Sequence, residues 1–201
     1  MTNKTDTPAD RQIVEKVLSG DTNAFSTIVK DTEVLVAQIV FKMVDNKEDR
    51  RDLAQDIYLK AYKNLPGFRF GSKLSTWIAQ ISYNTCLDYL RKKKLVLDNN
   101  LYTEDHEEQQ ANKVNYFPAE FNVSADAGFV KKELSEILKT ETEKLSSIYK
   151  TLITLYHNEE LSYEEIAQIT QLPEGTLKNY LFRARKALKD NLLLHYKREE
   201  L

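Results

Sequence analysis

The stretch LSYEEIAQITQLPEGTLKNYLFRARKALKD, residues 161–190, combines two helical patterns with a short turn between them. Ser162 can accept hydrogen bonds from the free amides of a first helical turn, and Glu165, three residues later, can bond back to it. This capping box predicts a helix that begins at about Tyr163 and stops near Gln171. Its buried side is expected to hold Ile166, Ala167 and Thr170.

A second helix is predicted from Pro173, because a proline at the first helical position loses little by lacking an amide hydrogen. Its core stripe is expected to hold Leu177, Leu181, Ala184 and Leu188. Its opposite, basic face holds Asn179, Phe182, Arg183, Lys186 and Lys189, with Lys178 and Arg185 at the borders. Two short helices joined by a tight turn, the second with a basic outer face, are typical of the helix-turn-helix motif that enters the major groove.

Phe182 helps to decide between two interpretations of this basic face. A solvated surface on an ordinary helical hairpin would explain the charges, but a large ring directed away from the core is a poor choice for such a surface. We therefore predict DNA binding. Lys178, Asn179 and Arg183 can reach base edges or phosphates, and Phe182 can contact a thymine methyl group or a sugar.

The composition indicates a mostly helical, soluble protein: of 201 residues 41% are hydrophobic and 30% charged, with only 5 Gly and 4 Pro. No apolar run could cross a bilayer and the first residues lack the order of a secretory signal, so we expect a cytoplasmic location. The lone cysteine, Cys86, excludes an internal disulfide and is expected to pack within a helix. We expect no catalytic site, metal, cofactor or small-molecule substrate.

The formal net charge of −2 does not by itself indicate nucleic acid, but the charges are unevenly distributed. Basic residues concentrate at 91–94 and 183–189. Residues 95–126 carry many carboxylates without sustained periodicity, and they are predicted to form a flexible acidic linker. The linker divides the chain into two helical blocks, residues 1–94 and 127–201.

The first block is predicted to contain an N-terminal helix and helices at about 21–44, 48–64 and 74–94, with an aromatic loop before the last. In the third helix, helical projection buries Leu53, Ala54, Ile57, Tyr58 and Ala61. It leaves Asp52, Gln55, Asp56, Leu59 and Lys63 outward. A leucine among carboxylates on an outer face suggests a protein partner with a basic surface and a small apolar pocket, although a solvated acidic face remains the alternative.

The fourth helix is apolar around more of its circumference than one core contact requires. Gln80, Tyr83, Asn84 and Leu87 lie beside one another with Arg91 below, and Asp88 can pair with Arg91. Such a mixture next to an aromatic loop is suited to holding unpaired bases. Phe68 and Trp77 are either base-stacking residues or ordinary core residues.

Three segments in this order, at 52–69, 70–94 and 161–188, closely resemble the bacterial extracytoplasmic-function (ECF) sigma factors. The resemblance implies an all-α fold of two small domains: a sigma-2-like domain at 1–94 and a sigma-4-like helix-turn-helix domain at 127–201. It also implies that the chain binds core RNA polymerase, at the β′ clamp helices and the β-flap, and promoter DNA. Whether an anti-sigma factor restrains it stays open.

The resemblance assigns residues to three surfaces. The polymerase-binding set is Asp52, Gln55, Asp56 and Leu59. The set for unpaired DNA at the −10 element is Phe68, Lys73, Trp77, Gln80, Tyr83, Asn84 and Arg91. The set for duplex DNA at the −35 element is Thr176, Lys178, Asn179, Phe182, Arg183 and Lys186.

Two departures from the family pattern affect these assignments. Gln80 stands where many members have arginine, which weakens a phosphate contact there. The common TVKSRL of the second motif helix is TLKNYL here, so Asn179 and Tyr180 replace a serine and an arginine. Because asparagine can bond an adenine edge bidentately, we hypothesise an adenine in the upstream element.

Three other functions compete with a sigma factor. A stand-alone helix-turn-helix regulator would bind duplex DNA as a dimer through the second block. An interaction adaptor would make no DNA contact. An enzyme has no support, because no nucleophile, metal cluster or phosphate-binding glycine loop is evident.

Overall fold

The computed structural model describes residues 8–98 and 127–195, and the side chains within 8–94 and 134–193. These residues form eight α-helices and one 3-10 turn, and none of them lies in a strand. The helices are α1 Pro8–Leu18, α2 Thr22–Met43, α3 Lys47–Asn64, α4 Leu74–Asp98, α5 Ala127–Glu143, α6 Ser147–His157, α7 Tyr163–Thr170 and α8 Glu174–His195. The predicted all-α fold is confirmed.

Short polar side chains fix where the first helices begin. The Asp21 carboxylate accepts the amide hydrogens of Asn23 and Ala24 at 2.9 and 3.2 Å, so α2 begins directly after the break at Gly20. Gly20 has a φ of +100°, which an L side chain rarely adopts. Asn46 caps α3 in the same way through the amide of Glu48.

Helix α4 lies at the centre of the N-terminal block, where it packs on both α2 and α3. The fully buried side chains Ile39, Ile57 and Ile78 come from these three helices. Burying each one contributes roughly 1.5–3 kcal/mol relative to exposure. Cys86 on α4 has no exposed surface, and its burial raises the pKa of its thiol to about 12.

The C-terminal block contains α5 to α8, and its core is built from α6, α7 and α8, with α5 packed on α6 and α8. Its centre holds fully buried apolar residues from all three helices: Leu152, Leu155, Ile166, Ile169, Leu177 and Leu181. This core is continuous with that of the N-terminal block, because α6 packs on α2 and α7 packs on α4. Contact with the second block explains why α4 is apolar around so much of its circumference.

The predicted boundaries of α2 and α3 differ from the observed ones by no more than one residue, and those of α4 and α8 differ as follows. Helix α4 continues to Asp98, four residues beyond the predicted end at 94, since no glycine or proline interrupts it there. Helix α8 begins at Glu174 instead of Pro173, whose carbonyl oxygen accepts the amide hydrogen of Leu177 at 2.9 Å. Residues 95–98, predicted to begin the acidic linker, belong to α4, and the rest of the predicted linker, residues 99–126, lies outside the described residues.

Candidate nucleic-acid and polymerase interfaces

The predicted capping box is present at the start of α7. The Glu165 amide donates to Ser162 Oγ at 3.2 Å, and the Ser162 amide donates to Glu165 Oε2 at 3.0 Å. Gln171 ends the helix in the left-handed conformation, with a φ of 58°. The chain therefore turns within three residues, and α7 and α8 form the predicted helix-turn-helix.

Helix α8 separates an apolar face from a basic one as predicted. Leu177, Leu181 and Ala184 are fully buried, whereas Phe182 is 44% exposed on the other side. The residues around Phe182 are exposed or half-buried: Thr176, Lys178, Asn179, Arg183 and Lys186. The structure thus brings the six residues predicted for duplex DNA together on one helix.

Two tyrosines that lie beside basic residues of α8 were not predicted from the sequence: Tyr156 of α6 and Tyr163 of α7. The ring of Tyr163 lies 5.7 Å from the Lys178 ammonium, and the ring of Tyr156 lies 5.0 Å from the Arg185 guanidinium. The two rings are themselves 5.0 Å apart, and their hydrogen bond raises the pKa of Tyr156. These contacts bias the basic side chains toward defined orientations.

On α3 the structure places all four predicted polymerase-binding residues on one exposed face. Leu59 is 49% exposed, and the side chains of Asp52, Gln55 and Asp56 around it are exposed as well. The apolar character extends further than predicted, because Tyr62, one turn later, is 44% exposed and packs edge-on against Phe25 at 5.0 Å. We name Asp52, Gln55, Asp56 and Leu59 the α3 acidic face.

The aromatic loop between α3 and α4 packs on itself. Phe68 is only 6% exposed, with ring centroids 4.8 Å from Phe70 and 5.1 Å from Trp77, which is half-buried. The Arg11 guanidinium covers the other part of the cluster, 4.8 Å from the Phe70 ring. In this conformation Phe68 is a core residue and cannot stack on a base, so that part of the prediction is corrected.

The start of α4 is held by residues from distant parts of the chain. The Leu74 amide donates to Asp10 Oδ2 at 3.1 Å, so a residue of α1 satisfies a free amide of α4. The neighbouring Lys73 ammonium lies 2.8 Å from Glu165 Oε1 in α7. Lys73, predicted to contact unpaired DNA, is therefore occupied by the carboxylate of the capping box.

The outer face of α4 is covered rather than open. Tyr83 is 3% exposed, and Gln80 and Asn84 are half-buried. Burial raises the pKa of Tyr83, and nearby Tyr180 of α8 adds to the effect. Tyr83, assigned by the resemblance to unpaired DNA, is therefore covered in this conformation, because the C-terminal block packs on α4. Arg91, beyond the contact, is exposed and pairs with Asp88 at 3.6 Å.

Other kinds of site are not evident in the described residues. No three His, Cys, Asp or Glu residues among them come together as metal ligands would. No helix in the same ranges has both the length and the apolar character of a membrane span.

Comparison with known proteins gives a consistent result across the chain. The family models "Sigma-70 region 2" and "Sigma-70, region 4" match residues 28–96 and 135–188. The ECF RNA polymerase sigma factor SigW of Bacillus subtilis is 33% identical over 179 residues, which cover 89% of this chain and 94% of SigW. The ECF RNA polymerase sigma-E factor of Escherichia coli K12 is 33% identical over 91% of this chain and 94% of its own length.

Solved structures share the fold. CnrH, in complex with the cytosolic domain of CnrY, has a TM-score of 0.62 at 20% identity over 94% of this chain and 99% of CnrH. The sigma factor RpoE of Bartonella quintana, in complex with the anti-sigma factor NepR, has a TM-score of 0.60 at 23% identity over 86% of this chain and 98% of RpoE. Since both sigma-70 regions match in order and relatives align over most of its length, the chain belongs to the ECF family of RNA polymerase sigma factors.

Proposed function

We propose that this sigma factor contacts its polymerase and its promoter through three separate surfaces of the described chain. The α3 acidic face binds the β′ clamp helices of core RNA polymerase. The basic face of α8 reads duplex DNA at the −35 element. Helix α4, with Trp77 on it and Lys73 directly before it, holds unpaired bases at the −10 element, and the C-terminal domain also rests on the β-flap.

The exposed ring of Phe182 within the basic face of α8 is the observation that carries the duplex assignment. A helix that only needs solvation gains nothing from a half-exposed phenylalanine between cations. In the major groove the same ring can meet a thymine methyl group while Arg183 and Lys186 reach acceptor atoms or phosphates. Asn179, half-buried one turn before Arg183, is placed to select a base.

The α3 acidic face supports the polymerase assignment. Leu59 supplies an apolar anchor, and carboxylates on either side supply charge that a basic partner surface would complement. Buried apolar anchors carry most of the affinity in such interfaces, and surrounding charges mainly set orientation and association rate.

On this proposal the chain is not an enzyme. Its contribution to initiation is binding energy, because separating promoter base pairs costs a few kcal/mol that the capture of flipped bases can partly offset. We place this activity in the cytoplasm, where the polymerase works.

An anti-sigma factor is a further candidate partner. In both similar structures a chain of this fold is bound to a second protein: CnrH to the cytosolic domain of CnrY, and the sigma factor RpoE to the anti-sigma factor NepR. We extend such a partner to this chain as a proposal, tested by co-purification from the cell that produces it.

Run-off transcription with core polymerase on a randomised promoter library tests the proposal. We expect transcripts only when the chain and core polymerase are both present, with enrichment of defined bases in two separated elements. Failure to co-elute with core polymerase, combined with dimeric binding to a palindrome, would favour the stand-alone regulator instead.

A further inference from the structure

Two tyrosines from other helices lie along one border of α8. Lys178 and Arg185 are about two helical turns apart, so their side chains leave α8 on the same side. The Lys178 ammonium lies 5.7 Å from the centre of the Tyr163 ring, and the Arg185 guanidinium lies 5.0 Å from the centre of the Tyr156 ring. Each of the two cations therefore has its own aromatic partner.

Tyr156 and Tyr163, which we name the tyrosine pair, are fixed to each other. Their ring centroids are 5.0 Å apart, and a hydrogen bond joins their hydroxyl groups. His157 packs edge-on against Tyr156 with ring centroids 4.8 Å apart. Tyr156 belongs to the last turn of α6 and Tyr163 is the first residue of α7. Two helices other than α8 therefore set the position of the tyrosine pair.

Arg185 is held without losing its charge. The hydrogen bond to Tyr163 is the main reason why the pKa of Tyr156 is raised, while Arg185 acts in the opposite direction through its charge and its own hydrogen bond to Tyr156. A tyrosine with a raised pKa is neutral near pH 7, and no carboxylate pairs with Arg185 within the described ranges. An aromatic ring orients a guanidinium but does not neutralise it, so Arg185 keeps its full attraction for an anion.

The Lys178 side of the arrangement is weaker. Its ammonium also pairs with Glu174 at 3.4 Å, and both side chains are more than half exposed. An ion pair of this kind contributes little to stability and is readily exchanged for another anion. Lys178 can therefore follow Arg185 in contacting an anion, but Arg185 is the better test of the arrangement.

The position of the two cations on α8 indicates which anion they meet. Lys178 and Arg185 are exposed at the border of the basic face, and Phe182 and Lys186 lie nearer its centre. When a helix enters the major groove, its central side chains face base edges and its borders face the sugar-phosphate walls. The expected ligand of the two cations is therefore the phosphate backbone of the duplex.

We propose that the tyrosine pair positions duplex DNA contacts: Tyr156 and Tyr163 hold Arg185 and Lys178 along one border of α8, where both cations bind backbone phosphates. Arg185 and the tyrosine pair are thereby added to the residues predicted for duplex DNA. The inference rests on the proposed function, because it takes the basic face of α8 as the surface that reads the duplex.

This arrangement raises affinity without selecting a sequence. A side chain that is already held in place loses less conformational freedom on binding than a free one. Phosphate contacts carry no base information, so the gain applies to every duplex alike. Base selection stays with the central residues, such as Asn179.

Four variants of the full chain test the role of Tyr156: Tyr156→Leu, Tyr156→Phe, Arg185→Ala and the double Tyr156→Leu with Arg185→Ala. Leucine removes the aromatic ring, whereas phenylalanine keeps the ring face that holds the guanidinium. Tyr163 is left unchanged because it begins α7 directly after the capping residue. Tyr149→Leu is the matched control, since Tyr149 is a half-buried tyrosine of the same helix and packs edge-on against Tyr180.

The salt dependence of binding separates a positioning role from a structural one. Fluorescence anisotropy measures binding to a labelled random-sequence duplex of about 20 base pairs, between about 50 and 200 mM salt. The slope of log K against log salt concentration changes by about 0.9 for each phosphate that a cation neutralises. Replacing a neutral tyrosine removes no charge, so this slope changes only if a cation has moved away from a phosphate. Thermal unfolding checks that each variant is folded.

We expect Arg185→Ala to reduce the slope by about 1. Tyr156→Leu should reduce it by a part of that amount and weaken binding about two- to fivefold at about 0.1 M salt. In the Arg185→Ala background it should have no further effect, because the cation that it positions is gone. Tyr156→Phe should bind within about twofold of the wild type.

Three results would overturn the positioning role. In the first, the slope of Tyr156→Leu equals those of the wild type and of the Tyr149→Leu control. In the second, the losses from Tyr156→Leu and Arg185→Ala add fully in the double variant. In the third, Tyr156→Phe binds as weakly as Tyr156→Leu, which would assign the effect to the hydroxyl group.

Arg183→Ala separates this inference from the proposed function. If duplex binding depends on Arg183 but not on Tyr156, the reading of duplex DNA by α8 stands and the positioning role fails. If every variant, Arg183→Ala included, binds the duplex as the wild type does, the assignment of duplex DNA to α8 fails as well.

Discussion

The basic face of α8 and the outer face of α4 carry similar chemistry but differ in access. Each presents an aromatic residue among basic and amide side chains. On α8 the aromatic residue, Phe182, is 44% exposed, whereas on α4 Tyr83 is 3% exposed beneath the C-terminal block. The surface proposed to read duplex DNA is therefore exposed in this conformation, whereas the surface proposed to hold unpaired bases is covered by the C-terminal block.

The largest expected effect is on duplex DNA binding by the exposed basic face of α8. Arg183→Ala should weaken binding to a −35 duplex by about 1–3 kcal/mol, because it removes a charged donor that reaches bases or phosphates. The loss should appear in the free chain and in run-off transcription alike. Lys139→Ala, which removes an exposed cation from α5, is the control, and thermal unfolding checks that both variants fold.

Equal DNA binding by the Arg183→Ala variant and the wild type in every assay would remove the difference between the two faces. The chain would then fit an interaction adaptor better than a duplex reader.

Asn179→Ala sharpens the comparison by testing specificity instead of affinity. A bidentate contact to adenine discriminates by about 1–3 kcal/mol, and we expect a value near the lower limit for one half-buried amide. Selection from a randomised duplex library should show relaxed preference at a single position. Unchanged preference at every position would assign the selectivity to other residues.

Leu59→Ala probes the second open surface, the α3 acidic face. Removing a half-exposed anchor should weaken binding to core polymerase by about 1 kcal/mol, measured by competition with labelled wild type. Leu18→Ala on α1 removes a leucine of similar exposure, 51% against 49%, and should have no such effect. Identical competition by the two variants would leave the acidic face as a solvated surface.

The smallest expected effect is the pH dependence of the contact between Glu165 of α7 and Lys73, beside the covered face of α4. Burial alone would raise the pKa of Glu165, but hydrogen bonds from Lys73 and Ser162, with the charge of Lys73, hold it below its ordinary value of 4.5. The part of this lowering that comes from Lys73 stabilises the contact between the two blocks fully above the ordinary value, and this stabilisation is lost as the pH falls through the lowered pKa. Energy transfer between dyes on cysteines introduced at the exposed positions Lys30 and Asn158 should therefore decrease on acidification toward pH 4, which is below that ordinary value.

Glu165→Gln is the control for this titration, because the amide does not titrate in that range. Circular dichroism at each pH separates domain opening from general acid unfolding. A wild-type curve that coincides with the Glu165→Gln curve would show that another group governs the change.

Local patterns were enough to predict the features that depend on one helix. The capping box at Ser162, the buried stripe through Leu181 and the exposed position of Leu59 all follow from helical spacing, and the structure confirms them. Helical spacing could not predict the burial of Tyr83. Nor could it predict the pairing of Lys73 with Glu165, which is 92 residues away. They depend on how two blocks dock, and helical periodicity within each block does not contain that information.

Phe68 shows the same limit at shorter range. The sequence around Phe68 is compatible with an exposed or a buried ring. The ring is buried because it packs against Phe70 and Trp77. The sequence left these two interpretations open for the same reason.

Glu165 takes part in two equilibria at once, since it caps α7 and binds Lys73. Thermodynamic linkage then makes the two contacts reciprocal: whatever factor by which the Lys73 contact favours the side-chain position that caps α7, the cap favours the contact between the two blocks by the same factor. A substitution that removes the cap at Ser162 would therefore also weaken the contact between α7 and the start of α4.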